Sequence, residues 1–315
     1  MALNLIFATD PHFRATRPIS RKDDDFFGTI LGKLEKIRIL SKNYELVIFG
    51  GDIFDRPDVP HSVVIKVMRA FSKFEVPVYT VIGNHDIFGY QGATVESSAM
   101  GTLLESGVVK RLDSFIMKGV AIYGIHAFDG EAWELPESDA VKVIVAHKLI
   151  TNTPVPGGDC IPLRKVAQAT NANLILSGDI HYPHFEDDIL GKTFVNPGSL
   201  SRMSITDRER YPQVAAITIE SDGEIHCDLH VLDSRPAECL FDLTSYSNRM
   251  ASEEHREGFV KTYVSAVFSV KAEAHNVGSA LAKAAEDNKL EGGVAGCVDE
   301  YYKRAEKEIL HEIKD

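Results

Sequence analysis

The chain has 315 residues, with 34 basic and 46 acidic side chains, a net charge of −12 and a hydrophobic fraction of 44%. This composition is globular rather than disordered, long enough for one large domain and a small one, and its sign argues against nonspecific attraction to nucleic acid or an anionic membrane. It has no apolar run of about 18 residues, no basic n-region in its opening MALNLIFATDPHF and no C-x-x-C pair, so we expect a cytoplasmic protein without membrane association or a disulfide framework.

Residues 3–9 (LNLIFAT) form a short apolar run, and Leu46 to Phe49, Val76 to Ile82, Val141 to Ala146 and Leu174 to Leu176 repeat the pattern. Runs of this length, rich in Val and Ile and bounded by Gly, Asn or Asp, predict strands buried on both faces. Residues 24–42 place Phe27, Ile30, Leu34, Ile37 and Leu40 at helical spacing, and 61–73 do the same with Val64, Val67, Met68 and Phe71. Alternating strand and helix predicts an α/β core with largely parallel strands. Segments 115–125, 193–196, 213–220 and 224–232 read as later strands, with turns at Lys118-Gly119 and Asp222-Gly223, and predict a second, more antiparallel sheet. A boundary is expected at 235/236. Beyond it, 259–270 reads as a strand and 277–287 and 297–313 as helices, a small α+β cap.

Polar residues gather where the strands end. Asp10-Pro11-His12 follows the first, Gly51-Asp52 the second and Gly83-Asn84-His85-Asp86 the third; His147 and then Gly178-Asp179-Ile180-His181 follow the next two. Ligands of α/β sheets bind at the carboxyl ends of strands, so these side chains are expected at one site. Imidazole with carboxylate suits Mn, Fe or Zn, and the set exceeds the needs of one ion. Any one of these pieces alone is more often a turn or a packed histidine. His61, His126, His226, His230, His255, His275 and His311 are read as surface or packing residues.

In this order the motifs resemble those of the calcineurin-like metallophosphoesterases: D-x-H, G-D, G-N-H-D or E, a single H, and G-H-x-H. Within that group the chain is most similar to the Mre11/SbcD nuclease subunits, through Gly51-Asp52-Ile53-Phe54-Asp55, Gly83-Asn84-His85-Asp86 and Val195-Asn196-Pro197-Gly198-Ser199. Protein serine/threonine phosphatases carry G-D-x-V-D-R-G and G-N-H-E, which this chain does not. The resemblance implies two mostly mixed sheets sandwiched and flanked by helices over residues 1–235, and a capping or partner-binding region over 236–315. It implies two divalent cations, Mn first and Mg, Fe or Zn as alternatives. Asp10, His12 and His181 would hold one cation, Asn84 and His147 the other, and Asp52 both. His85 would act on the phosphate as general acid or charge stabiliser, with Asp86 orienting its ring. The implied activity is DNA exo- or endonuclease hydrolysis in end processing, repair or recombination.

One position departs from the pattern, because Asp179 stands where the first histidine of G-H-x-H is expected. Either its carboxylate ligates and favours harder ions, or the second site is weakened and the chain is a binding subunit; His184 is a less favoured substitute. A phosphatase or small phosphodiesterase is the other enzymatic reading. Arg14, Arg17, Arg21, Arg56 and Arg202, with Lys22, Arg208 and Arg210, follow the metal motifs and are expected to meet DNA phosphates. The resemblance also implies single- or double-stranded DNA ends as substrate, a homodimer, and a Rad50/SbcC-like SMC-type ATPase as partner, with 297–313 a possible docking helix. Two bound divalent cations would bring the formal charge from −12 to about −8 and reverse its sign locally.

Overall fold

The computed structural model describes residues 2–153 and 159–244. In chain order the elements are β1 (Leu3–Ala8), α1 (Phe26–Leu40), β2 (Leu46–Phe49), α2 (His61–Phe71), β3 (Val78–Thr80), α3 (Ala99–Glu105), β4 (Lys110–Arg111), β5 (Ser114–Met117) and β6 (Val120–Ile125). They continue with β7 (Val141–His147), α4 (Leu163–Ala169), β8 (Leu174–Gly178), β9 (His184–Glu186), β10 (Thr193–Asn196), β11 (Gln213–Ile219), β12 (Ile225–Val231) and α5 (Ala237–Leu240). Helix α1 starts where the Asp25 carboxylate accepts the Gly28 amide at 2.8 Å, and its buried stripe begins at once with Phe26 and continues through Ile30, Leu34 and Ile37.

Two six-stranded sheets form, ordered β12-β11-β1-β2-β3-β4 and β5-β6-β7-β8-β10-β9. Strands β1 to β4 are parallel, β11 runs antiparallel beside β1 and β12 antiparallel beside β11, while β6, β7, β8 and β10 are parallel between antiparallel edges β5 and β9. The period of two explains the layers. Leu3, Leu5 and Phe7 of β1 face Val143, Val145, Leu174 and Leu176 of the other sheet, whereas Ile6 and Ala8 face Ile30, Leu34, Val64 and Val67 of α1 and α2. On the far side, Ile144, Ala146 and Ile175 pack on Leu163, Val166 and Ala167 of α4. The result is the expected α/β architecture of two mixed sheets flanked by helices.

The strand-to-sheet assignment differs from expectation. Segments 213–219 and 225–231 extend the first sheet, and 141–147 and 174–178 belong to the second. In 141–147, 174–178 and 213–219 both faces are largely apolar and buried, so periodicity leaves their neighbours open, while 225–231 is an exposed edge strand paired to 213–219. The predicted 115–125 strand is a hairpin turning where Lys118 (φ 51°) and Gly119 (φ 81°) are left-handed.

The chain divides into compact units at Met1–Leu243 and Thr244–Asp315. The first continues past the expected break at 235/236 because Leu240 and Phe241 are buried in it. The expected strand 259–270 and helices 277–287 and 297–313 lie outside the described residues. Among the described residues no helix is long and apolar enough to cross a membrane.

Candidate metal centre

Strands β1, β2 and β3 of one sheet and β7 and β8 of the other deliver their polar residues to a common edge. There the backbone abandons extended geometry: Asp10 (φ 51°), His12 (φ 47°), Asp52 (φ 50°) and Asp179 (φ 78°) are all left-handed, a conformation costly for residues with a Cβ and concentrated at functional loops. Each turn aims a side chain off the strand axis. The sheets also come close here, since a Cβ at Gly178 would strike the Gly50 carbonyl oxygen. Only glycine allows that approach.

Three sets of side chains converge with their ligand atoms within 4.8 Å of one another: Asp10, His12 and His181; Asp10, Asp52 and His147; and His12, Asp55 and His85. His12 Nε2 lies 3.1 Å from His181 Nε2 and 3.6 Å from Asp52 Oδ2. His147 Nε2 lies 2.8 Å from Asn84 Oδ1, 3.5 Å from Asp52 Oδ1 and 3.8 Å from Asp179 Oδ1. Asp52 therefore stands between the Asp10–His12–His181 half and the Asn84–His147–Asp179 half. The seven residues read from the sequence as ligands all meet here, Asp179 among them. His184 belongs to none of these sets; it pairs with Asn196 on β9.

Surrounding backbone fixes the ligands. His147 Nδ1 lies 2.6 Å from the Gly50 carbonyl oxygen, which leaves Nε2 facing the cluster. Asp10 accepts from the Thr9 hydroxyl and from the Asp179 amide. His85 is the exposed member: its Nδ1 lies 2.7 Å from the Asp55 carbonyl oxygen, its amide donates to Asp52, and its ring meets His12 edge-on at 4.9 Å. Asp86 is placed differently from the expected ring-orienting position. Its carboxylate is buried and accepts the Phe54 and Gly83 amides, each at 3.0 Å, so it ties the second and third metal loops together.

The charges ask for a cation. Burial, opposed by His147 and reinforced by Asp52 and Asp179, pushes the Asp10 carboxyl up to about 8. Burial also raises Asp179. Asp52 is held below the usual carboxylate range: burial alone would raise it, but His147, His12 and His85 outweigh that. Burial would lower His147 too, yet the carboxylates of Asp52, Asp179 and Asp10 hold it well above its usual value. Buried carboxylates this close retain protons when nothing else positive offsets them, and imidazole plus carboxylate is the donor set of a transition ion. The residues fit divalent metal.

The arginines separate into two groups. Arg21 and Arg202 are buried and are corrected from DNA contacts to packing residues. Arg21 pairs with Asp23 at 2.9 Å and lies over the rings of Phe26 and Phe241; Arg202 bonds the carbonyls of Asp207, Arg208 and Arg235. Arg210 is buried likewise against Asp207. A buried guanidinium must be paired, and position along the chain gives no warning of it. Arg17, Lys22, Arg56 and Arg208 are exposed, and Arg14 is half-buried, 3.3 Å from Asp55. His126, read as a packing residue, is buried and accepts the Ile82 amide at 3.0 Å. Asp55, the second carboxylate of G-D-I-F-D, carried no assigned role in the sequence reading; its ligand atom lies beside those of His12 and His85.

The family profile for calcineurin-like phosphoesterases matches residues 3–183. Among solved structures the chain is similar to the purple acid phosphatase PPD1 of yellow lupin, with 11% identity and a TM-score of 0.50 over 74% of this chain and 52% of that one. It is also similar to the NAD nucleotidase of Haemophilus influenzae (14%, TM-score 0.42, 73% and 50%) and to the TT1561 protein of Thermus thermophilus (10%, TM-score 0.46, 74% and 100%). Identities this low speak to fold alone. No curated protein sequence matches the chain.

Proposed function

This chain belongs to the calcineurin-like phosphoesterase family, and we propose on that footing that it is a metal-dependent DNA nuclease, a phosphodiesterase of the Mre11/SbcD kind. Metal-dependent phosphoester hydrolysis is the family's chemistry; diester cleavage in DNA is the reading added here. Asp10, His12 and His181 would hold one divalent ion and Asn84, His147 and Asp179 a second, with Asp52 serving both. Bound there, such ions supply Lewis acidity to the phosphate and lower the pKa of a water.

The observation that carries the reading is His85. A sugar alkoxide is a poor leaving group and needs a proton, whereas a good leaving group does not. His85 Nδ1–H donates to the Asp55 carbonyl, which turns Nε2 toward the exposed rim. Burial would lower this imidazole, but Asp52, the Asp55 carbonyl and carboxylate, and Asp86 outweigh it and raise it above its usual value, which favours the proton-bearing form of the ring. Asp86 positions that group indirectly by locking the Gly83 amide to the Phe54 amide.

The same resemblance extends the proposal to a homodimer working with a Rad50/SbcC-like ATPase in a cytoplasmic setting; the helix expected to dock that partner, 297–313, lies outside the described residues. With Mn added, the protein should cleave short single- or double-stranded DNA, and His85→Ala should slow cleavage by about 10²- to 10⁴-fold while binding the same amount of metal. Rapid turnover of a phosphomonoester with no cleavage of any DNA end would replace the nuclease with a phosphatase.

A further inference from the structure

Two tyrosines at the rim are oriented the opposite way from an ordinary surface tyrosine, which buries its ring and turns its hydroxyl to water. Tyr90 is 67% exposed, yet its hydroxyl oxygen accepts from Asn84 Nδ2 at 3.4 Å. Tyr182 is 50% exposed, yet its hydroxyl donates to the Thr206 carbonyl. In both, the polar end is tethered to protein and the ring is offered to solvent. Tethering removes rotational freedom before anything binds, which lowers the cost of using that ring as a contact surface.

Their placement is specific. Tyr90 holds Asn84, whose Oδ1 lies 2.8 Å from His147 Nε2; Tyr182 directly follows His181, whose Nε2 lies 3.1 Å from His12 Nε2. Between these ends stands Asp52, 3.5 Å from His147 and 3.6 Å from His12. Tyr90 is thus bonded to a residue of one half of the metal centre, and Tyr182 adjoins in the chain a residue of the other. A phosphomonoester carries an organic group on one side of phosphorus only, while a diester within a nucleotide strand carries a nucleoside on each.

Resting on the nuclease reading above, we infer that Tyr90 and Tyr182 are stacking platforms for the bases on either side of the scissile phosphate, so that the substrate is unpaired nucleic acid. In a duplex the base faces are covered by their neighbours and closed to a tyrosine ring. Stacking needs no basic surface, because every base has a π face. That suits a chain of net charge −12 in which Arg21, Arg202 and Arg210 are spent on internal pairing.

The test compares thymidylyl-thymidine with two analogues, each lacking one thymine, using the full chain with Mn. Wild type should show a KM roughly tenfold higher for each base removed, with smaller changes in kcat. Tyr90→Leu should lose the dependence on one base and Tyr182→Leu on the other, whereas Tyr90→Phe and Tyr182→Phe, which keep the ring, should retain it. Equal KM values for all three substrates in wild type, or full base dependence in the Leu variants, would overturn the inference. Methyl p-nitrophenyl phosphate separates the two failures. If wild type cleaves it but ignores bases, only the platforms fall; if it cleaves no diester at all, the nuclease reading falls, and this inference with it.

Discussion

In the Asp10–His12–His181 half of the centre the imidazoles are pushed below their usual range, while across Asp52 the His147 imidazole is pushed above it. Burial lowers both His12 and His181, and for His12 the neighbouring rings of His181, His85 and His147 add to it. His147 is equally buried, but Asp52, Asp179 and Asp10 outweigh that burial. With Asp179 in place of a ring, the His147 side carries one imidazole where the other side carries two. Burial therefore does not set the protonation of a ligand by itself; the balance of nearby charges does.

The largest expected effect comes from the residue shared by both halves. Asp52→Asn should lower phosphodiester hydrolysis by on the order of 10³-fold and reduce metal content in both halves, read by elemental analysis of the dialysed protein. Loss of one ion alone would show that the halves are independent. Next comes the asymmetry itself. Wild type should bind two ions and Asp179→Ala one, while Asp179→His should bind two and shift preference from Mn toward Zn, with activity within about tenfold of wild type. One ion in wild type and two in Asp179→His would mean that Asp179 does not ligate.

Smaller, and more discriminating, is the pH dependence of metal binding. Ligands must be deprotonated, so protons on Asp10 and His147 have to leave. Affinity should rise with pH up to about 8, where the Asp10 carboxyl titrates, and the half containing His147 should show a pH dependence of its own, because His147 is also held well above its usual value. Titration calorimetry in buffers of different ionisation enthalpy would show the release; pH-independent binding at both halves would remove the proposed difference. Smallest are the rim charges: Arg56→Ala should leave stability within about 0.5 kcal/mol and reduce the salt slope of DNA binding by about one.

The clustering of these side chains was legible because they follow five short apolar runs in a fixed order, although each alone is ordinary turn chemistry. The fold class was legible for the same reason, from runs such as LVIF and VKVIVAH. Sheet membership was not, since a strand apolar on both faces, like 213–219, can pair wherever an edge is free. Asp86 was read as the partner of the adjacent ring, but its carboxylate turns to backbone amides that chain order cannot reveal. Arg21 and Arg202 look in sequence like Arg17 and Arg56; only burial tells a packing cation from a surface one.

The amino-acid sequence by itself determined the strand-and-helix alternation, the residue types at the strand ends and the substitution at Asp179, because these depend on periodicity and local chemistry. Tertiary structure decided the rest. Two sheets, not one, bring the strand ends together. Asp52 stands between two halves whose imidazoles are shifted in opposite directions, and two tyrosines offer their rings outward. Each of these follows from distances between residues far apart in the chain, which no local pattern encodes.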